Sequence, residues 1–169
     1  MKKIGLLLLF VLAACSKPEP KLFSHDGVSF NIPGDWKIAE QEAITEIGYY
    51  LAAQKEGLSS SGLFTLSWVK GDLDANENLQ TYQSEMNSNM TYSSSGLVFT
   101  PTKPGKFAGN ETLSCDFTAN ILTVKHHGTL HCFHLKGRTY TVLIQEADED
   151  VSDNKEGYEL IEKTFAVKG

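Results

Sequence analysis

The chain opens with a basic pair, Lys2-Lys3, and then runs almost unbroken in apolar residues over positions 4–12 before shortening to Ala13-Ala14 and Cys15. A membrane-spanning helix needs about 20 apolar residues to cross a hydrocarbon core roughly 30 Å thick, so this run is too short to span. A basic start, a short apolar stretch and small residues before a cut site are the marks of a secretory leader, expected here over residues 1–14. Beyond it the pattern breaks into shorter periods. Val28-Ser29-Phe30-Asn31-Ile32 alternates and stops at Pro33-Gly34, which predicts a strand and a turn. Residues 37–47 fit either a short helix or an irregular strand, while 49–53 and 63–69 read as strands, the second with Phe64, Leu66 and Trp68 on one face.

From position 74 the period lengthens. Ala75, Leu79, Tyr82, Met86 and Met90 form one stripe behind Asp74 and Glu77, which have the spacing of a capping box, and this predicts a helix over residues 74–91. The period returns to two at Leu113, Cys115, Phe117 and Ala119, and two further strands, at about 123–135 and 139–146, are divided by Lys136-Gly137. Three strands joined by short turns predict an antiparallel meander. A last helix is expected to start at Ser152-Asp153-Asn154 and to carry Tyr158, Ile161 and Phe165 on one side. The whole predicts a single α+β domain over residues 23–169, a mainly antiparallel sheet flanked by helices, without internal repeats or a second core.

Two resemblances follow from these residues. Leu12-Ala13-Ala14-Cys15 resembles the lipobox of bacterial lipoproteins, in which cleavage precedes the cysteine and its thiol carries a diacylglycerol. Carried over, it makes Cys15 the lipidation site and residues 15–22 a lipidated start and tether, stiffened by Pro18 and Pro20. Lipid contributes about 0.8 kcal/mol per buried methylene, and more than one chain is needed for stable anchoring. Ser16, rather than Asp, after the cysteine implies outer-membrane sorting facing the periplasm in enteric bacteria. The second resemblance begins at Phe23-Ser24-His25-Asp26-Gly27-Val28-Ser29-Phe30-Asn31-Ile32-Pro33-Gly34-Asp35-Trp36. This stretch is similar to the start of Mog1/PsbP-like domains, with an aromatic residue, an Asp-Gly turn, a short strand and a Pro-x-x-Trp. The order helix, meander, helix ending at Thr164-Phe165 is similar too. The resemblance implies an α/β/α sandwich and a non-catalytic, partner-binding role. It brings no active site to carry over.

Composition narrows the partners. Removing residues 1–14, with two lysines and no acid, leaves 155 residues and takes the formal charge from −6 to −8. Arg138 is the only arginine, so the clustered Lys and Arg that a nucleic acid requires are missing and no nucleic-acid partner is expected. Membrane association is expected through Cys15 instead. With Cys15 lipidated, Cys115 and Cys132 remain, and an even pair in an exported chain favours a disulfide over two buried free thiols on neighbouring strands.

Candidate chemistry is sparse. His126, His127, His131, Cys132 and His134 hold the residue types of a metal site. On a strand, His126, Cys132 and His134 share one face, which makes His126 and His134 the candidate ligands, whereas His127 and His131 point the other way about 13 Å apart. The acidic run Glu146, Asp148, Glu149, Asp150 and Asp153 lacks the order of a calcium loop and reads as a solvated turn before a helix. No G-x-S-x-G, C-x-x-C or phosphate loop is present, and neither an enzyme nor a cofactor is expected. The leading functional expectation is an envelope lipoprotein whose domain binds an unidentified envelope protein as an accessory or adaptor. The alternatives are a periplasmic immunity or chaperone-like protein for a secreted effector, and a metal or small-ligand binder using the histidine-rich strand.

Overall fold

The computed structural model describes residues 18–57 and 60–168. The expected leader over residues 1–14 and the expected lipid attachment at Cys15 lie outside the described residues.

Two antiparallel sheets form the body. The small one pairs β1 (Lys21–His25) with β2 (Val28–Ile32), and β2 with β11 (Ala166–Val167). The large one contains β3 (Trp36–Ile44), β4 (Gly48–Lys55), β5 (Leu63–Lys70), β6 (Val98–Phe99), β7 (Lys103–Phe107), β8 (Asn110–Ile121), β9 (Val124–Leu135) and β10 (Arg138–Ala147). Its order is β3-β4-β5-β10-β9-β8-β6, with β7 also paired to β8. The expected meander is β8-β9-β10. Helix α1 (Ala75–Ser88) covers part of one face. The opposite face packs against the small sheet and α2 (Val151–Thr164). This is the expected α+β sandwich.

Local chemistry explains the hairpins. Asp26-Gly27, Ala108-Gly109 and Lys136-Gly137 each have two successive positive φ angles, the requirement of the two-residue turn whose twist matches that of paired strands. Pro104 is tolerated in β7 because that strand pairs with β8 alone.

Alternation then sorts the side chains into two cores. Phe64, Leu66 and Trp68 share a face, as their spacing predicts, and join Phe30, Trp36, Phe107, Phe133 and Tyr140 beneath the small sheet and α2. Tyr140 stacks on Phe133 at 5.2 Å between ring centroids, and Phe165 meets both edge-on. The other core, under α1, holds Leu79, Met86, Cys115, Phe117, Leu130, Cys132 and Leu143.

One open reading is resolved and two expectations change. Residues 37–47 are largely the edge strand β3, whose residues 37–43 are all exposed, so nothing buried imposes alternation on them. The first helix stops at Ser88, where Asn89 turns to extended backbone (φ −69°, ψ 137°), which leaves Met90 off the stripe and 89 % exposed. The last helix begins at Val151 after a 3-10 turn over Asp148–Asp150, so Ser152-Asp153-Asn154 lie inside it and Asn154 is fully buried.

Gly34 marks a close approach. A Cβ at that position would fall 1.9 Å from the carbonyl oxygen of Pro18, because Pro18-Glu19-Pro20 lies across the β2–β3 turn and beside the N-terminal half of α2. The end of the tether is therefore seated on the domain.

Candidate functional site

Helix α1 starts where Asp74 caps it, its Oδ1 accepting the backbone N–H groups of Asn76 and Glu77, both at 2.9 Å. Its apolar residues pack on β8 and β9, while Asn78 and Tyr82 reach toward β10 and β5. The same face of β4, β5 and β10 is left open. An open groove of about 620 Å³ results, with Leu63, Thr65 and Leu143 on the sheet side, Tyr82 and Met86 on the helix side, and His126 also in its wall. Tyr92, from the loop after α1, and Tyr50, from β4, complete a set of three phenols around it.

Tyr82, Tyr92 and Asn78 are held in the groove by neutral partners. Tyr82 Oη lies 3.2 Å from Thr65 Oγ1, and Tyr92 Oη donates to Gln145 Oε1. Asn78 Nδ2 donates to Thr141 Oγ1 at 2.6 Å. Burial pushes the Tyr92 hydroxyl up to about 12, and burial likewise raises Tyr50 and Tyr82, so all three stay protonated at neutral pH. No lysine or arginine among the described residues lines the groove, and Glu85 is the carboxylate that does.

The histidines are not brought together. His126 is buried against the groove, its Nδ1 without a hydrogen-bond partner and its pKa lowered by burial. His134 is exposed at the other end of β9, with Nδ1 3.1 Å from Thr139 Oγ1. Eight steps along the strand separate them, about 26 Å, so they share a face and cannot share an ion. Among the described residues no group of three or more His, Cys, Asp or Glu side chains converges on a metal-sized space. His127 instead joins the acidic turn, its Nδ1 2.8 Å from Asp148 Oδ1, and Lys125 pairs with the same carboxylate at 3.0 Å. Hydrogen bonds from Lys125 and His127 hold the Asp148 carboxyl below the usual carboxylate range. Asp150 accepts from Ser61 Oγ at 2.5 Å. The acidic run thus ties β9, the segment before β5 and the entry to α2 together.

The expected disulfide is also absent. Cys115 and Cys132 are free buried thiols on adjacent strands, but Cys115 stands opposite Leu130 and Cys132 opposite Leu113. The two cysteines are therefore diagonal neighbours, whose Cα atoms are typically about 7–8 Å apart, beyond the usual reach of a disulfide. Each sulfur accepts an amide hydrogen bond from α1 instead, Cys132 from Asn78 at 3.3 Å and Cys115 from Gln83 at 3.1 Å. Burial raises both thiol pKa values and keeps them inert. The tyrosine cluster has no sequence signature, since its members come from a strand, a helix and a loop; only Tyr82 announces itself, through the helical stripe.

No family model and no curated protein matches this sequence. Among solved structures, LpqN of Mycobacterium tuberculosis, described as involved in cell envelope biogenesis, aligns with a TM-score of 0.51 and 12 % identity over 89 % of this chain and 91 % of that one. Cyanobacterial PsbP (CyanoP) from Synechocystis sp. PCC 6803 aligns with a TM-score of 0.59 and 11 % identity over 95 % of this chain and 99 % of that one. At such identities the likeness is one of architecture, and the domain has a PsbP-like fold.

Proposed function

We propose that this chain is an envelope lipoprotein, anchored through a lipid on Cys15, whose PsbP-like domain has a non-catalytic binding role as an accessory or adaptor to another envelope protein. The observation that carries the reading is the open groove beside α1. It is a preformed, mostly apolar concavity. The hydroxyls seen bonded within it pair with amides or other hydroxyls, which fits a surface that holds something better than one that activates a nucleophile. The leader-like start and Leu12-Ala13-Ala14-Cys15 support the address, as does a shared fold with LpqN, a protein described as involved in cell envelope biogenesis.

Two measurements test the two halves. Metabolic labelling with a fatty acid is expected to mark the wild-type chain and not Cys15→Ser, which is released from the membrane pellet; continued labelling of Cys15→Ser overturns the anchor. Crosslinking in whole envelopes is expected to capture a defined partner with the wild type and to lose it with Tyr82→Ala. Identical capture by both overturns the groove as the binding surface.

A further inference from the structure

We propose that the groove beside α1 recognises an organic cation, an amine or quaternary ammonium group carried on an apolar or neutral body. This rests on the reading of the domain as a binding module and adds the chemistry of what is bound.

Size sets the first bound. About 620 Å³ lies within the range of small-molecule sites, roughly 300–1,000 Å³. Leu63, Val69, Met86 and Leu143 supply an apolar lining large enough for a ligand body. Charge sets the second. Glu85 is the carboxylate lining the groove, and Glu40 and Glu42 on β3 lie close enough to Tyr50 to act on its hydroxyl. No lysine or arginine among the described residues opposes them there. Burial lowers the pKa of His126 and disfavours its charged form, and the chain as a whole carries a formal charge of −6. An anion entering this space meets repulsion with no fixed positive charge to receive it, whereas a cation meets complementary potential.

The aromatic groups supply the third element. Tyr50, Tyr82 and Tyr92 come from three separate elements to one groove. The electron-rich face of a phenol attracts ammonium groups, and several such rings around one space are the usual cage for quaternary ammonium ligands. Tyr82 and Tyr92 are fixed in place through Thr65 and Gln145, so their rings are already positioned before a ligand arrives. His126 adds an unsatisfied Nδ1 in the same wall, which in the neutral ring can accept a hydrogen bond from an ammonium N–H or from a hydroxyl on the ligand body.

Three soluble compounds of one shape separate the terms: choline, its uncharged isostere 3,3-dimethylbutan-1-ol, and the anion 3,3-dimethylbutanoate. Ligand-observed NMR on the full-length chain in neutral micelles is expected to give saturable choline binding with a Kd on the order of 1 mM, with the isostere about tenfold weaker and the carboxylate weaker still. Glycerophosphocholine, which adds a phosphate to the same cation, distinguishes a free cation from a lipid headgroup and is expected to bind more weakly than choline. Tyr82→Leu is expected to weaken choline binding about tenfold while Tyr82→Phe retains it. Glu85→Gln, at an exposed position whose replacement leaves folding intact, is expected to weaken it severalfold. Absence of saturable choline binding, equal binding of the isostere or the carboxylate, tighter binding of glycerophosphocholine, or an unchanged Kd in Glu85→Gln overturns the proposal. Partner capture lost in Tyr82→Ala but accompanied by no cation binding refutes the ligand class alone; loss of both results refutes the groove.

Discussion

His131 is expected to make the domain acid-labile in a window set by one buried ring. It sits on β9 among Thr112, Ser114 and Phe107 and is 9 % exposed. Its Nδ1 lies 2.8 Å from Ser114 Oγ and 3.2 Å from Thr112 Oγ1, and those two hydroxyls are 2.6 Å apart. Burial lowers its pKa from the ordinary histidine value of 6.5 to about 4, with the Asp116 carboxylate a smaller opposing influence. The folded state thus binds the proton less readily than the unfolded chain. Stability is fully present above pH 6.5 and falls as the pH drops toward 4, because only the unfolded chain takes up the proton across that interval. A shift of this size amounts to about 3 kcal/mol in full, of which about 2.5 kcal/mol is gone by pH 4.5. For a domain of this length that lowers the melting temperature by about 5–10 °C. Urea unfolding followed by the fluorescence of the buried Trp36 and Trp68 at pH 7.5 and 4.5, in the wild type and in His131→Gln, isolates the effect. The variant is expected to lose about 2.5 kcal/mol less than the wild type between those two pH values. An equal loss in both proteins refutes the account, since every other titrating group is common to them.

Other positions test other parts of the structure. Leu79→Ala removes a side chain with no exposure from the core under α1 and is expected to destabilise by about 2–5 kcal/mol in the same unfolding assay; a change below about 0.5 kcal/mol means α1 is not docked there. Gly34→Ala puts a methyl group where the Pro18 carbonyl lies, and is expected to speed amide exchange at Glu19 and Lys21 while leaving exchange in β8–β10 unchanged; wild-type exchange rates throughout would show that the tether is not seated. Peptide mapping under non-reducing conditions is expected to recover Cys115 and Cys132 as separate thiols, alkylated only after denaturation; a crosslinked peptide would show that the strands shift out of the diagonal register.

What was legible in the residues is what depends on neighbours in the chain. The alternation of Phe64, Leu66 and Trp68, the meander of β8 to β10 and the cap at Asp74 all follow from periods and spacings within a dozen residues. Strand β3 is ambiguous in the residues because an exposed edge demands no apolar pattern, and nothing in a 4-3-4-4 spacing says that Asn89 leaves the helix before Met90. The cysteines show the limit most clearly. An even pair on neighbouring strands is readable from the residues, but a disulfide depends on an offset of two residues in register, fixed by the turn at Leu122-Thr123 rather than by the cysteines. The groove is further out of reach, since it exists only because α1 docks to one side of the sheet. Its tyrosines become neighbours through that docking alone.

The seat of the tether on Gly34 has a mechanical consequence. Eight residues left free would let a domain wander about 28 Å from its anchor at full extension. With Pro18 to Pro20 held against the β2–β3 turn, only three peptide steps separate a lipidated Cys15 from the rigid body, a reach of at most about 10 Å. A lipid on Cys15, as proposed, would therefore hold the domain by one corner, the end that carries Trp36 and the start of α2, and keep that corner within about 10 Å of the attachment point.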